Sequence, residues 1–147
     1  MIILPLSFQG SPQNMQSHYQ DAMAIVMAKG KPDLFLTFTC NPNWPEIRNN
    51  LAYGEKANFR PDLVSRVFHG YLMELLDDIK KKHIFGKTAA VIYTIEFQKR
   101  GLPHCHMLIT LKEEYKLREI EQIDQVVTAE LPDPNLEPDL YARVTRN

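Results

Sequence analysis

Ile92-Tyr93-Thr94-Ile95-Glu96-Phe97-Gln98-Lys99-Arg100-Gly101-Leu102-Pro103-His104-Cys105-His106-Met107-Leu108-Ile109 is the stretch on which the fold turns. The run from Ala89 to Phe97 is rich in Val, Ile, Tyr, Thr and Phe. The run from His104 to Leu111 is mostly apolar, and Gln98 to Pro103 between them holds the Gly and Pro that break strands. This pattern predicts a β-hairpin. Side chains two apart on a strand share a face, so His104 and His106 project together and Cys105 points the other way, an apolar thiol packed beneath them. Seven residues separate Glu96 from His104, and antiparallel pairing symmetric about Arg100 puts Glu96 on the histidine face. Two imidazoles and a carboxylate on one face suit a divalent metal with open positions, as a Lewis acid requires. A bare His-x-His more often marks two solvated histidines on an exposed sheet, and Glu96 on the partner strand brings the metal reading level with that one.

Around this hairpin, 147 residues fit one domain large enough to bury a core. A content of 44% hydrophobic and 24% charged residues is that of an ordinary soluble globular protein and excludes a disordered or membrane-embedded class. The formal net charge of -1 announces no nucleic-acid partner, so DNA contacts have to come from local basic patches. Cys40 and Cys105 form no C-x-x-C pair, and each falls in or at the end of an apolar strand, which predicts buried, reduced thiols in an intracellular protein. Met1-Ile2-Ile3-Leu4-Pro5-Leu6 is too short for a signal peptide and lacks its basic start. No apolar run approaches membrane-spanning length.

Upstream of the hairpin, Ser11-Pro12 starts a helix, with Ser as N-cap and Pro at the first helical position. Met15, Tyr19, Ala22, Met23 and Val26 form one apolar stripe along it, and Gly30 and Pro32 end it. Asp33 to Cys40 is the next strand. Leu34, Leu36, Phe38 and Cys40 lie on one face and Phe35, Thr37 and Thr39 on the other, and this two-sided apolar character predicts an interior strand. Asn41-Pro42-Asn43-Trp44-Pro45 then forces the chain out of the sheet. Trp44 is a loop anchor or a base-stacking platform, and its large apolar area favours the anchor. A short helix is expected over 46–53 and a loop over 54–60.

The strongest helix starts at Pro61. Leu63, Val64, Val67, Phe68, Tyr71, Leu72, Leu75, Leu76 and Ile79 recur in pairs down to Lys80-Lys81-Lys82. These lysines suit the negative end of the helix dipole, with a phosphate patch as the alternative. His18, His69 and His83 have no partner at ligand spacing. Gly86-Lys87-Thr88 mimics the end of a phosphate-binding P-loop, but Lys81 stands where the first Gly of that motif belongs, and the order is helix then strand. Residues 112–130 are charged and of mixed period, with a helix from about Lys116. Residues 131–139 are Pro-rich and acidic, which divides the chain into a domain over 1–130 and an acidic Pro-rich tail over 131–147.

Phe35-Leu36-Thr37-Phe38-Thr39-Cys40-Asn41-Pro42-Asn43-Trp44-Pro45 and Ile95-Glu96-Phe97-Gln98-Lys99-Arg100-Gly101-Leu102-Pro103-His104-Cys105-His106 together resemble the replication-initiator domain of Helitron transposons. Ser11-Pro12, Arg60-Pro61-Asp62 and Ile84-Phe85-Gly86-Lys87 extend the likeness over nearly the whole chain. Helitron initiators are His-hydrophobic-His endonucleases of rolling-circle replication. The resemblance implies their α+β fold, a central antiparallel sheet with helices packed against it. It also implies that Leu34 to Cys40 is the family's first motif and His104-Cys105-His106 the second, whose histidines hold a divalent metal. Glu96 agrees with the acid that related initiators place on the neighbouring strand. In such enzymes the metal polarises the scissile phosphate of single-stranded DNA, and a tyrosine attacks it to leave a 5′-phosphotyrosine. A nuclear location follows from the same resemblance.

The family's third motif, paired tyrosines on a downstream helix, has no counterpart here. After His106 only Tyr115 and Tyr141 occur, neither with a partner tyrosine at helical spacing. Tyr115 is too close to the hairpin to lie on that helix, and Tyr141 falls in the acidic tail. The expectation is a fragment or degenerate copy with the metal half of the site and no nucleophile. The same expectation covers the helicase domain that follows in Helitron proteins: it belongs to the parent protein and not to these 147 residues. Two His and a Glu also suit Zn²⁺, whereas waters and a phosphate oxygen completing an octahedron favour Mn²⁺ or Mg²⁺. Lys99 and Arg100 in the turn either hold DNA phosphates or are solvated turn residues. Three functions compete: a nicking and joining endonuclease domain, a non-catalytic single-stranded DNA-binding module, and an inert remnant.

Overall fold

A computed structural model describes residues 5–98, 101–128 and 130–145. The chain divides into two compact units, Met1–Lys116 and Leu117–Asn147. The first unit is α+β and is built on an antiparallel sheet of β1 (Leu34–Thr39), β2 (Thr88–Phe97) and β3 (Pro103–Leu111), in the order β1-β3-β2. The hairpin expected from the turn residues is β2 and β3. It is closed by the Gln98 N–H donating to the Leu102 carbonyl at 3.0 Å and the Gly101 N–H donating to the Gln98 carbonyl at 2.7 Å. Gly101 has a φ of 77°, which a glycine adopts without a Cβ penalty.

Register follows the alternation of apolar side chains, since a slip of one residue would turn every buried side chain outward. Cys105, Met107, Ile109 and Leu111 of β3 are at most 1% exposed, and they form the core face together with Leu34, Leu36 and Phe38 of β1. Against this face lies α3 (Pro61–Lys80), whose buried Val64, Phe68, Leu72, Leu76 and Ile79 follow the expected helical period. Each such side chain contributes about 1.5–3 kcal/mol on burial. β1 is not the interior strand its composition suggested. It is an edge strand, and β3 lies between the other two. Phe35 sits on the open face at 64% exposure, so apolar residues on both faces of β1 do not mean burial on both.

α1 (Pro12–Lys29) starts where Ser11 caps it. The buried Ser11 hydroxyl accepts the Asn14 N–H and donates to the Pro5 carbonyl, each at 3.1 Å. Gly30 ends the helix at a φ of 91°. Its apolar stripe is only partly covered: Ala22 and Val26 are half-buried, but Met15, Tyr19 and Met23 stay exposed. α1 touches β2, and none of its residues is fully buried. α2 (Pro45–Arg48) is shorter than the expected helix over 46–53, and a 3-10 turn, Ala57–Phe59, interrupts the expected loop. Trp44 is the loop anchor. Its ring packs on Tyr71 at 4.3 Å and on Phe38 at 5.9 Å, and Phe38 in turn stacks on Phe68 at 5.3 Å.

Between α3 and β2, Gly86 has a φ of 100°, and a Cβ there would come within 2.7 Å of the Tyr115 ring. This glycine makes room for an aromatic side chain, and the P-loop likeness of Gly86-Lys87-Thr88 ends there. Tyr115 closes a 3-10 turn, Glu113–Tyr115, just after β3. In the second unit, α4 (Ile120–Val126) begins after a capping box of Glu119 and Gln122, later than the expected start near Lys116. α5 (Pro138–Thr145) forms within the segment expected to be an irregular tail.

Candidate metal centre

The open face of the sheet carries two polar rows across the central strand. Thr39, His104 and Glu96 form one, because Thr39 of β1 and Glu96 of β2 are both in register with His104 of β3. Thr37, His106 and Thr94 form the other. Directly paired antiparallel residues share a face, so the hairpin symmetry read from the sequence does place Glu96 beside the histidines. Beneath them Cys105 is fully buried, and burial pushes its thiol above the ordinary range; the same cause pushes Cys40 up to about 11. Both thiols are buried in the core, which leaves the open face to nitrogen and oxygen donors.

The two imidazoles are held in different ways. His104 Nδ1 lies 2.7 Å from Thr39 Oγ1, a side chain that stands 65 positions away in the sequence. His106 stacks on Phe35, with ring centroids 5.6 Å apart and planes 11° from parallel. Its Nδ1 is buried and has no hydrogen-bond partner among the described residues. Its Nε2 lies 3.8 Å from Glu96 Oε2, a diagonal contact across the two rows. The histidine rings meet edge to face at 4.4 Å.

Metal bonds of about 2.1 Å put neighbouring ligand atoms about 3–3.5 Å apart, so the Glu96–His106 separation is a few tenths of an ångström too wide. Among the described residues, no three His, Cys, Asp or Glu side chains converge closely enough to hold a metal ion. The chemistry of the donors, two imidazoles and a carboxylate, is of the kind such an ion takes, and the Glu96 side chain is 68% exposed.

Lys99 and Arg100, the expected phosphate contacts, lie outside the described residues. Tyr115 is at the Leu111 end of β3, the opposite end from His104, and packs on Gly86. Tyr93 is in register with Met107 and therefore on the reverse face, and the Tyr71 hydroxyl donates to the Glu46 carboxylate at 3.1 Å. His18 and His69 are exposed on their helices. Thr39 and Phe35 are the neighbours that sequence reasoning did not assign to the site. Alternation placed both on one face of β1, but nothing local says that this face adjoins His104 and His106.

Two grooves lie elsewhere. One of about 450 Å³ runs between α2 and α3, and one of about 490 Å³ between α1 and β2; neither is lined by His104, His106 or Glu96. The histidines lie on the face of the sheet away from α3, half-buried, with the His106 side chain 33% exposed.

A family model described as the Helitron helicase-like domain at the N-terminus matches residues 1–109, a span that takes in all three strands but for the last two residues of β3. No curated protein matches the chain.

Proposed function

Because the chain belongs to the family of Helitron helicase-like N-terminal domains, we propose that its histidine face is the metal-holding part of a single-stranded DNA nicking and joining site of the His-hydrophobic-His type. The observation that carries this reading is the placement of His104, His106 and Glu96 on one open face, with Glu96 Oε2 3.8 Å from His106 Nε2. A divalent cation there, Mn²⁺ or Mg²⁺, with Zn²⁺ as the competing ion, supplies Lewis-acid polarisation of a phosphodiester. The residues of the chain supply the rest. β3 spaces the two imidazoles, and the buried Cys105 and Met107 hold the reverse of the strand against the core. Glu96 brings a negative oxygen to the His106 side. The exposed Phe35 ring supports a single-stranded partner, since aromatic surfaces stack bases regardless of sequence. Lys99 and Arg100, adjacent in sequence to the end of β2, are the cations assigned to DNA phosphates.

A non-catalytic single-stranded DNA-binding module is the second reading, favoured by the incomplete convergence of the three donors. Calorimetric titration of Mn²⁺ into the chain, with and without a single-stranded oligonucleotide, separates the two. The proposal expects one Mn²⁺ per chain, bound more tightly with DNA present. His104→Ala and His106→Ala should each abolish that stoichiometric binding and leave the far-UV circular dichroism unchanged, because neither imidazole is part of the core. Unchanged Mn²⁺ affinity in both variants overturns the metal assignment. DNA binding that needs no metal supports the module.

A further inference from the structure

We propose that Thr39 is a positioning residue: its hydroxyl oxygen accepts the Nδ1–H of His104 and holds the ring in the tautomer whose Nε2 lone pair is open to a cation. This rests on reading the histidine face as a metal site. The contact is short, 2.7 Å between Thr39 Oγ1 and His104 Nδ1, and the two residues are direct register partners across β1 and β3. The backbone fixes the pair from the next position along, where the Cys40 N–H donates to the Pro103 carbonyl at 3.0 Å. Threonine is β-branched and restricted at χ1, so a strand-borne hydroxyl at this position is a fixed partner for a ring.

In a neutral imidazole one nitrogen carries the proton and the other the lone pair, and the hydrogen bond at one nitrogen selects the state of the other. If Thr39 donated to Nδ1, Nε2 would carry the proton and could not ligate. Acceptance by Thr39 leaves Nε2 available, and an oxygen acceptor behind a metal-bound histidine is the recurrent arrangement. Among the described residues His106 has no such partner at Nδ1, and the Phe35 ring stacks on it instead, so the two imidazoles are oriented by different forces. Loss of Thr39 should therefore act through His104 alone.

Nitrogen-15 NMR of the metal-free chain, with its imidazoles neutral, reads which ring nitrogen bears the proton. The expected result is a protonated Nδ1 at His104 in the unsubstituted chain, lost in Thr39→Val and kept in Thr39→Ser. Valine preserves the shape and branching of the side chain, so the fold is not at stake. In Mn²⁺ titrations Thr39→Val should weaken binding roughly 10–100-fold, and Thr39→Ser should restore it. A protonated Nε2 in the unsubstituted chain, or equal Mn²⁺ affinity in Thr39→Val, overturns the proposal while the metal site stands. Failure of the unsubstituted chain to bind Mn²⁺ removes the metal reading itself, and the ligand-supporting role of Thr39 with it.

Discussion

Cys105 and its two histidine neighbours show how sharply one strand separates chemistry from packing. The thiol is fully buried, in register with Phe38 on one side and Ile95 on the other, while the imidazoles on either side of it lie half-buried on the opposite face of the sheet. Cys105→Asp places a carboxylate in that apolar layer with no cation to meet it. A buried, uncompensated charge costs several kcal/mol, a large share of the 5–15 kcal/mol that holds a typical domain together. The expected outcome is loss of the cooperative thermal transition. A soluble, fully folded Asp variant would refute the assignment of Cys105 to the core face. Alanine at His104 or His106 should leave the same transition in place, since both half-buried imidazoles lie on the face of the sheet away from the core.

At the scale of the element, α3 joins the sheet core to a polar start. Arg60, just before the helix, donates from Nε and Nη2 to the two carboxylate oxygens of Asp62 at 2.9 and 2.8 Å. Those bonds, with the Leu63 N–H and the positive charge of Arg60 adding to them, lower the Asp62 carboxyl from an ordinary 3.8 to about 2. Asp62 also stands in the first turn, where a negative charge meets the positive end of the helix dipole. A carboxyl depressed in the folded state stabilises the fold above its unfolded pKa and stops doing so as pH falls through its folded pKa. Asp62→Asn should therefore melt below the unsubstituted chain at pH 7. The gap should close between about pH 4 and about pH 2, and both groups are exposed, so it should be small. Melting curves across that range check this, and a gap as wide at pH 2 as at pH 7 would mean that the carboxylate charge is not its source.

For the whole molecule, every strand and all of the buried apolar core among the described residues fall within Met1–Lys116. A chain ending at Lys116 should keep cooperative unfolding and the Mn²⁺ affinity of the full chain; loss of the transition on removing 117–147 would contradict the division into two units. Within the first unit, the amino-acid sequence by itself determined whatever has a local period. The turn residues from Gln98 to Pro103 set the hairpin, its symmetry about Arg100 put Glu96 beside His104, and the pairs from Leu63 to Ile79 marked the buried side of α3. These follow because alternation and the helical repeat decide which side chains share a face. Tertiary structure alone decided which elements meet. Phe35 and Phe38 have the same apolar character, yet one stays open to solvent and the other is half-buried, because β1 pairs only with β3 and only one of its faces adjoins the core. The stripe on α1 has a sound helical spacing, yet Met15, Tyr19 and Met23 along it stay exposed. Thr39 reaches His104, and Phe35 reaches His106, only because β3 runs between β1 and β2. No pattern within either strand encodes that pairing, because a strand's partner is chosen by contacts between residues far apart in the chain.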